Sequence, residues 1–211
     1  MNCHQCQQNC HSVKQKRSWW KRLTNKYRPE PVLAVDGTIA LVGTPNVGKS
    51  VLFNRLTGIY VTVSNYPGTT VEVSRGIAKI QDYRVRVIDT PGMYSLVPIS
   101  EEEQVARDLL LQESLDVAIH VVDAKNLGRM LPLTFQLIEA GLPVILAVNM
   151  MDEAEQLGLK VRSEALQTEL DIPVVLMSAA LNRGIRELKQ TIIQYLSSPS
   201  NQPLINLEVA T

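Results

Sequence analysis

The chain has 211 residues, of which 45% are hydrophobic and 20% are charged, as is typical of a soluble globular domain with tails. Lysine plus arginine and aspartate plus glutamate each number 21, so the bulk charge does not indicate a nucleic-acid-binding protein. No apolar stretch reaches the ~18 residues of a membrane-spanning helix, and the N-terminus lacks the apolar core of a secretory signal. The composition therefore predicts a cytoplasmic protein.

The first segment, residues 1–31, is predicted to be an extension that precedes the folded domain. It contains all three cysteines and two of the three histidines of the chain. Cysteine and histidine side chains at this spacing could bind Zn²⁺ or Fe²⁺. A tail with incidental thiols and a redox sensor are the alternatives. The candidate metal ligands are Cys3, Cys6, Cys10 and His11.

The second half of this extension is basic and also carries aromatic residues. Lysine and arginine recur between residues 13 and 31, together with Trp19, Trp20 and Tyr27. This composition fits a solvated linker, a helix that packs on a partner, or a segment that rests on an anionic membrane surface. Two prolines then break the chain, and we place the domain boundary near Val32.

A glycine-rich segment with the sequence GTPNVGKS fits the P-loop pattern G-x-x-x-x-G-K-[ST] without a mismatch. The apolar run before it predicts a buried strand, and the run after it predicts a helix. In such a loop, backbone N–H groups surround the phosphates, and the helix N-terminus adds partial positive charge. Lys49 can reach the β- and γ-phosphates, and the Ser50 hydroxyl can bind Mg²⁺. The predicted phosphate site comprises Gly43, Thr44, Pro45, Asn46, Val47, Gly48, Lys49, Ser50 and Val51.

Residues 61–72 are predicted to form a loop, because asparagine, proline, glycine and threonine are frequent there. In a P-loop GTPase, a threonine of this segment closes over Mg²⁺ and the γ-phosphate. Thr70 is the first choice for this role and Thr69 is the alternative. Gly68 precedes them and is included among the nucleotide contacts.

Two predicted strands, residues 73–80 and 83–88, lead to the sequence Asp89-Thr90-Pro91-Gly92. An aspartate at the carboxyl end of a strand beside a P-loop can hold Mg²⁺ through water. The N–H of Gly92 can sense the γ-phosphate, and the loop behind it can relax when that phosphate leaves. Many GTPases place a glutamine next to orient the attacking water. Here the residue is Met93, so we expect slow hydrolysis or another route to it.

A second specificity element follows the predicted strand 144–148, where Asn149 and Asp152 have the spacing N-x-x-D. The aspartate can accept from the N1–H and the 2-amino group of guanine. Adenine has no 2-amino group, and leaving the carboxylate unpaired costs about 1–3 kcal/mol. Met150 stands where a lysine is usual, and its stem can cover the base. A backbone N–H of the next loop can contact guanine O6; this loop contains Ser178, Ala179 and Ala180.

Together these elements predict an α/β fold of three layers. The sheet is expected to be open and mostly parallel, with about six strands, helices on both faces and the nucleotide at the strand carboxyl ends. Ser100 and Glu103 mark the start of one helix. His120 lies within a predicted strand and is expected to be structural. The folded domain is predicted to span residues 32–197, followed by a tail at 198–211.

The motifs resemble those of translation-factor-like small GTPase domains, and more closely the cytosolic G domain of the ferrous iron transport protein B (FeoB) family. The closer resemblance covers residues 35–197 and rests on the segments NYPGTTVE, DTPGMYSL, EEQVA and NMMDEA. It implies a GTP-hydrolysing switch tied to ferrous iron uptake, in which Met93 is the family's own residue. It also implies that Asn46 can coordinate K⁺ in place of an arginine finger. The residues implied in catalysis are Lys49, Asn46, Thr70 and Gly92.

The resemblance also implies partners. In the family, a small helical domain and a polytopic membrane domain follow the G domain, and this chain shows neither. We therefore expect a fragment, a split gene product or a stand-alone regulator that acts with a membrane iron-transport component or other Feo proteins. No nucleic acid is expected, and the location is the cytoplasm or the inner face of the cell membrane. The alternatives are a metal- and nucleotide-binding module with little turnover, or a GTPase of ribosome or tRNA maturation.

Overall fold

The structure is a computed structural model that describes residues 35–57 and 61–197. The described residues all belong to one compact unit, which begins at Val35. The predictions for the cysteines, His11, the basic segment and the tail at 198–211 lie outside the described residues. Within the described residues, no helix has the length and apolar character needed to cross a membrane.

The centre of the described fold is a single twisted sheet. Its strands are β1 (Gly37–Val42), β2 (Val61–Asn65), β3 (Glu72–Ile80), β4 (Tyr83–Asp89), β5 (Val117–Asp123), β6 (Val144–Asn149) and β7 (Val174–Leu176). Their order across the sheet is β2-β3-β4-β1-β5-β6-β7. β3 is antiparallel to both of its neighbours, and the remaining pairs are parallel. The mostly parallel sheet that the sequence predicts is confirmed.

Helices cover both faces of this sheet. They are α1 (Lys49–Leu56), α2 (Glu101–Gln112), α3 (Leu127–Glu139), α4 (Met151–Gln156), α5 (Ser163–Leu170) and α6 (Ile185–Ser197), with a 3₁₀ turn at Ala124–Asn126 before α3. One core layer lies between the sheet and α2, α3 and α5, and the other between the sheet and α1 and α6. Every residue of β1, β5 and β6 is buried, as expected for parallel strands that are covered on both faces.

The prediction of a loop throughout residues 61–72 is wrong, because Val61–Asn65 forms the edge strand β2. It pairs antiparallel with β3, and this raises the number of described strands from the expected six to seven. All five residues of β2 are exposed. The apolar–polar alternation of Val61-Thr62-Val63-Ser64 is too short to outweigh the asparagine, proline, glycine and threonine residues that follow it, so the segment has the pattern of a loop.

The parallel strands place the motifs at one edge of the sheet. β1, β4, β5 and β6 run in the same direction, so their carboxyl ends meet at that edge. The P-loop follows β1, Asp89 ends β4, and Asn149 ends β6. The segments that the sequence singles out are therefore neighbours in space.

Candidate functional site

The P-loop is a tight turn that requires glycine at two positions. Gly43 and Gly48 have φ angles of 144° and 90°, in the region that side chains rarely adopt. A Cβ on Gly43 would lie 2.3 Å from the carbonyl oxygen of Val121, and a Cβ on Gly48 would lie 2.4 Å from Nδ2 of Asn149. Asn46 also has a positive φ, 64°, which asparagine tolerates better than most residues. The loop is thus packed closely against β5 and the N-x-x-D segment.

Lys49, the first residue of α1, is held inside this loop. Its side chain is buried, and Nζ donates to the carbonyl oxygens of Gly43 and Thr44, both at 2.9 Å. Burial lowers the pKa of the Lys49 ammonium, while the nearby charge of Asp89 acts in the opposite direction. The lysine therefore lies at the place where the motif requires a cation for phosphate.

Ser50 and Asp89, two of the three predicted magnesium ligands, lie side by side. The Ser50 hydroxyl donates to Oδ2 of Asp89 at 2.8 Å. The other carboxylate oxygen, Oδ1, is buried and has no hydrogen-bond partner in the described part of the chain. Burial raises the pKa of Asp89, whereas the Ser50 hydrogen bond and Lys49 lower it. A hydroxyl next to a buried oxygen without a partner is a donor set that suits Mg²⁺.

The remaining ligands of such an ion would come from phosphate, water and the predicted Thr70 hydroxyl. Among residues 35–57 and 61–197, no group of three or more histidine, cysteine, aspartate or glutamate side chains could hold a metal ion. The residues present therefore fit a magnesium ion that binds together with a nucleotide. They do not form a cage made by the protein alone.

The two candidate threonines of the loop after β2 differ in their contacts. The Thr69 hydroxyl donates to the carbonyl of Tyr66 at 3.0 Å and accepts from the N–H of Val71 at 3.2 Å, so it stabilises the turn. Thr70 is exposed and makes no hydrogen bond with Ser50 or Asp89. The turn also contains Gly68, whose φ is 79°. The role of Thr70 over Mg²⁺ stays a prediction.

The segment after Asp89 packs directly on the P-loop. The Thr90 hydroxyl donates to the carbonyl of Leu41 at 2.8 Å. A Cβ on Gly92 would lie 2.6 Å from Cγ of Pro45, so only glycine permits this contact. The N–H of Met93 donates to the carbonyl of Gly43 at 3.1 Å. The Met93 side chain is fully buried in the core layer of α2 and α3, so it points away from the nucleotide edge.

Residues 93–99, here called the switch loop, are held by side chains of two helices. The Glu103 carboxylate of α2 accepts from the N–H groups of Tyr94 at 3.1 Å and Ile99 at 2.8 Å. The Gln136 amide oxygen of α3 accepts from the N–H of Leu96 at 2.8 Å. The hydrogen bonds from Ile99 and Tyr94 lower the pKa of Glu103. Ser100 caps α2 as predicted, but sequence reasoning missed the contacts of Glu103 and Gln136 with this loop.

Asn149 links the phosphate side of the site to the base side. Its Nδ2 donates to the carbonyl of Val47 in the P-loop at 2.9 Å, and its Oδ1 accepts from the N–H of Ala179 at 2.9 Å. The Ser178 hydroxyl donates to Oδ1 of Asp152 at 2.6 Å, and this hydrogen bond lowers the pKa of Asp152. Met150 lies between them with a φ of 61°. The structure therefore brings together both predicted parts of the guanine site.

Two further residues complete the surroundings. His120 is fully buried in β5, with Nδ1 2.9 Å from the Thr134 hydroxyl, and burial lowers its pKa to about 3. It is therefore neutral, as expected of a structural histidine. Arg55 lies in the last turn of α1, and its guanidinium contacts the carbonyls of Ala179 and Ala180. No sequence motif singles out Arg55.

The family model described as Ferrous iron transport protein B matches residues 37–192. The chain belongs to this family. It is 42% identical to the Fe(2+) transporter FeoB of Escherichia coli K12 over 179 residues, which are 80% of this chain and 23% of that protein. The chain thus spans about a quarter of the length of the curated relatives that it matches.

Solved structures of FeoB show which domain of the relatives the described region resembles. The G domain of T. maritima FeoB is 42% identical with a TM-score of 0.70, and the match covers 75% of this chain and 98% of that one. The G domain of Methanococcus jannaschii FeoB is 40% identical with a TM-score of 0.67, covering 77% of this chain and 98% of that one. The cytosolic domain of T. maritima FeoB in a GDP form has 42% identity and a TM-score of 0.73, over 76% of this chain and 63% of that one. The described region has the fold of the FeoB G domain.

Proposed function

We propose that this chain binds GTP with Mg²⁺ and hydrolyses it to GDP and phosphate as a switch for ferrous iron uptake. The observation that carries the proposal is the double hydrogen bond of Asn149, whose amide joins the P-loop to the base loop. It joins a phosphate site with a buried lysine to a segment whose carboxylate is suited to guanine. The family match and the similarity to FeoB G domains support the same function.

In this proposal the chain acts mainly by positioning the nucleotide and its Mg²⁺ ion. Lys49 and the N-terminus of α1 bind the phosphates, and Ser50 and Asp89 hold Mg²⁺, which neutralises charge on the phosphates when it is bound. The N–H of Gly92, next to Pro45 of the P-loop, senses the γ-phosphate. Thr70 closes over the ion from the loop after β2. Asp152 accepts from the guanine base, and a backbone N–H of the loop at residues 178–180 donates to guanine O6.

Hydrolysis is proposed to be slow and to be stimulated by K⁺. Met93 is buried in the core, so the residue after Gly92 cannot orient water. Asn46 is exposed in the P-loop, and its carboxamide forms no hydrogen bond with another described residue. A carboxamide oxygen is a suitable ligand for a hard cation. We propose that K⁺ bound at Asn46 supplies the positive charge that an arginine finger supplies elsewhere.

The cellular setting is proposed from the relatives, which include Fe(2+) transporters of several bacteria. We propose a membrane iron-transport component or another Feo protein as the partner. The domain would act in the cytoplasm, with peripheral contact at the inner face of the membrane. Binding of Zn²⁺ or Fe²⁺ by Cys3, Cys6, Cys10 and His11 is a separate proposal that rests on sequence spacing alone.

The test is GTP hydrolysis by the purified full chain in potassium and sodium buffers of equal ionic strength. We expect stimulation by K⁺, and its loss in Asn46→Gly, which keeps the positive φ of 64° without strain and removes the carboxamide. Lys49→Ala should lose nucleotide binding or turnover. Hydrolysis that persists in Lys49→Ala would contradict the P-loop assignment. Equal slow rates in both buffers with tight nucleotide binding would favour a regulatory module with little turnover.

A further inference from the structure

The base loop, defined here as residues 178–183, accepts hydrogen bonds from an arginine of α1, the helix that begins at the P-loop. Nε of Arg55 donates to the carbonyl of Ala179 at 3.2 Å, and Nη2 donates to the carbonyl of Ala180 at 2.9 Å. The planar guanidinium thus contacts two consecutive carbonyls, and its rigid fork suits such paired acceptors. Arg55 forms no salt bridge with a described acidic residue that would compete for these donors.

The other anchors of the base loop act on different atoms, except that the N–H of Asn182 also donates to the carbonyl of Ala179, at 3.3 Å. The N–H of Ala179 donates to Asn149, and the Ser178 hydroxyl donates to Asp152. Ser178 and Arg183 exchange backbone hydrogen bonds of 3.1 and 3.0 Å. These contacts fix the two ends of the loop and one N–H. Arg55 shares the Ala179 carbonyl with Asn182, and it is the donor that holds the carbonyl of Ala180 among the described residues.

The position of Arg55 on α1 gives this contact a consequence for the whole site. Lys49 and Ser50 stand in the first turn of α1, and Arg55 stands in the last turn of the same eight-residue helix. At about 1.5 Å per residue, the helix sets a separation of about 9 Å along its axis between the phosphate end and the arginine. We propose that Arg55 is a positioning residue for guanine selectivity, which keeps the base loop at a fixed distance from the phosphate site. This inference rests on the guanine nucleotide function proposed above.

The substituents of the purine base predict which nucleotides lose affinity when the Arg55 contact is removed. In the proposed binding mode, the N–H of Ala180, which none of these internal hydrogen bonds uses, donates to O6 of the purine; both guanine and hypoxanthine carry this oxygen. Adenine has an amino group at this position and gains nothing from that N–H. Loss of the Arg55 contact should therefore weaken GDP and inosine diphosphate together and leave ADP unchanged. Damage to the phosphate site would weaken all three nucleotides.

The experiment measures the dissociation constants of GDP, inosine diphosphate and ADP for the full chain by competition with a fluorescent guanine nucleotide. Arg55→Met keeps the length and helix propensity of the side chain and removes its donors. We expect its Kd for GDP and for inosine diphosphate to rise about 3–10-fold, in line with loss of charge-assisted hydrogen bonds at a partly exposed site. Arg55→Lys, which can reach one carbonyl at a time, should give an intermediate value.

Arg186→Met is the matched control, because Arg186 is an exposed arginine of α6 that has no hydrogen-bond partner among the described residues. It should bind all three nucleotides as the wild type does. Equal GDP affinity in Arg55→Met and in the wild type would overturn the inference while leaving the proposed function intact. Equal weakening of GDP and ADP would overturn it too, since it would show a general effect on α1. A wild-type chain that binds no GDP would remove the proposed function and the inference with it.

Discussion

Replacing Met93 by glutamine tests whether the side chain at position 93 faces the core or the nucleotide. Glutamine is the residue that many GTPases carry after the D-x-P-G glycine. If Met93 faced the nucleotide, the substitution would restore that group and speed hydrolysis. The structure predicts the opposite, because the Met93 side chain is fully buried among the residues of the core layer beneath α2 and α3.

The expected cost follows from two contributions. Removing a fully buried methionine side chain from the core costs about 1.5–3 kcal/mol in lost apolar burial. Placing an amide there without partners costs about 1–3 kcal/mol. Because glutamine keeps part of the apolar stem, the two contributions overlap, and we expect Met93→Gln to lower the free energy of unfolding by about 2–5 kcal/mol. The hydrolysis rate of the folded fraction should not increase.

Urea unfolding measures the stability change, and single-turnover GTP hydrolysis in potassium buffer measures the rate. Met93→Leu is the control, since a volume-conserving apolar substitution in a core costs less than about 1.5 kcal/mol. It should fold and hydrolyse like the wild type. A Met93→Gln variant that is as stable as the wild type and hydrolyses GTP faster would refute the reasoning, because position 93 would then reach the nucleotide.

Two further predictions concern the carboxylates of the site. Asp89→Asn removes a buried charge whose Oδ1 lacks a partner, so it should stabilise the nucleotide-free protein by about 1 kcal/mol in urea unfolding and abolish Mg²⁺-dependent nucleotide binding. Burial raises the pKa of Asp89 in the folded state above its value in the unfolded chain. Its contribution to stability is therefore present below the unfolded pKa and is lost as the pH rises through the folded pKa. Asp89→Asn should lack this pH dependence of the free energy of unfolding, and an unchanged pH dependence would contradict the assignment. Asp152→Asn should reduce the preference for GTP over ATP by about 1–3 kcal/mol in a competition assay, and an unchanged preference would remove Asp152 from base recognition.

The sequence predicts the main part of the fold and of the site because the same pattern specifies both. The P-loop and the N-x-x-D segment each follow an apolar, β-branched strand that is buried on both faces, and parallel strands bring their carboxyl ends to one edge. Gly48 shows why the P-loop requires glycine at this position, since a Cβ there would collide with the Asn149 side chain. The link between the P-loop and the N-x-x-D segment thus has a direct steric basis.

Other features could not be predicted, since they depend on contacts between distant parts of the chain. Arg55 and Ala180 are 125 positions apart, and an exposed arginine at the end of a helix gives no signal of its own. Glu103 fits a capping pattern, and nothing local shows that its carboxylate bonds to Tyr94 and Ile99. β2 escapes prediction for a different reason, because its apolar–polar alternation is too short to outweigh the loop-forming residues that follow it.

The anchoring of the switch loop determines how it can move. Its N–H groups are held by acceptors on two separate helices, Glu103 on α2 and Gln136 on α3, while Met93 is inserted in the core between them. A small displacement would leave several N–H groups without partners at once and open a void around the methionine. Intermediate positions are therefore higher in free energy than either end state. Rearrangement of this loop should be cooperative, so that in the proposed function the γ-phosphate would produce an all-or-none signal and not a graded one.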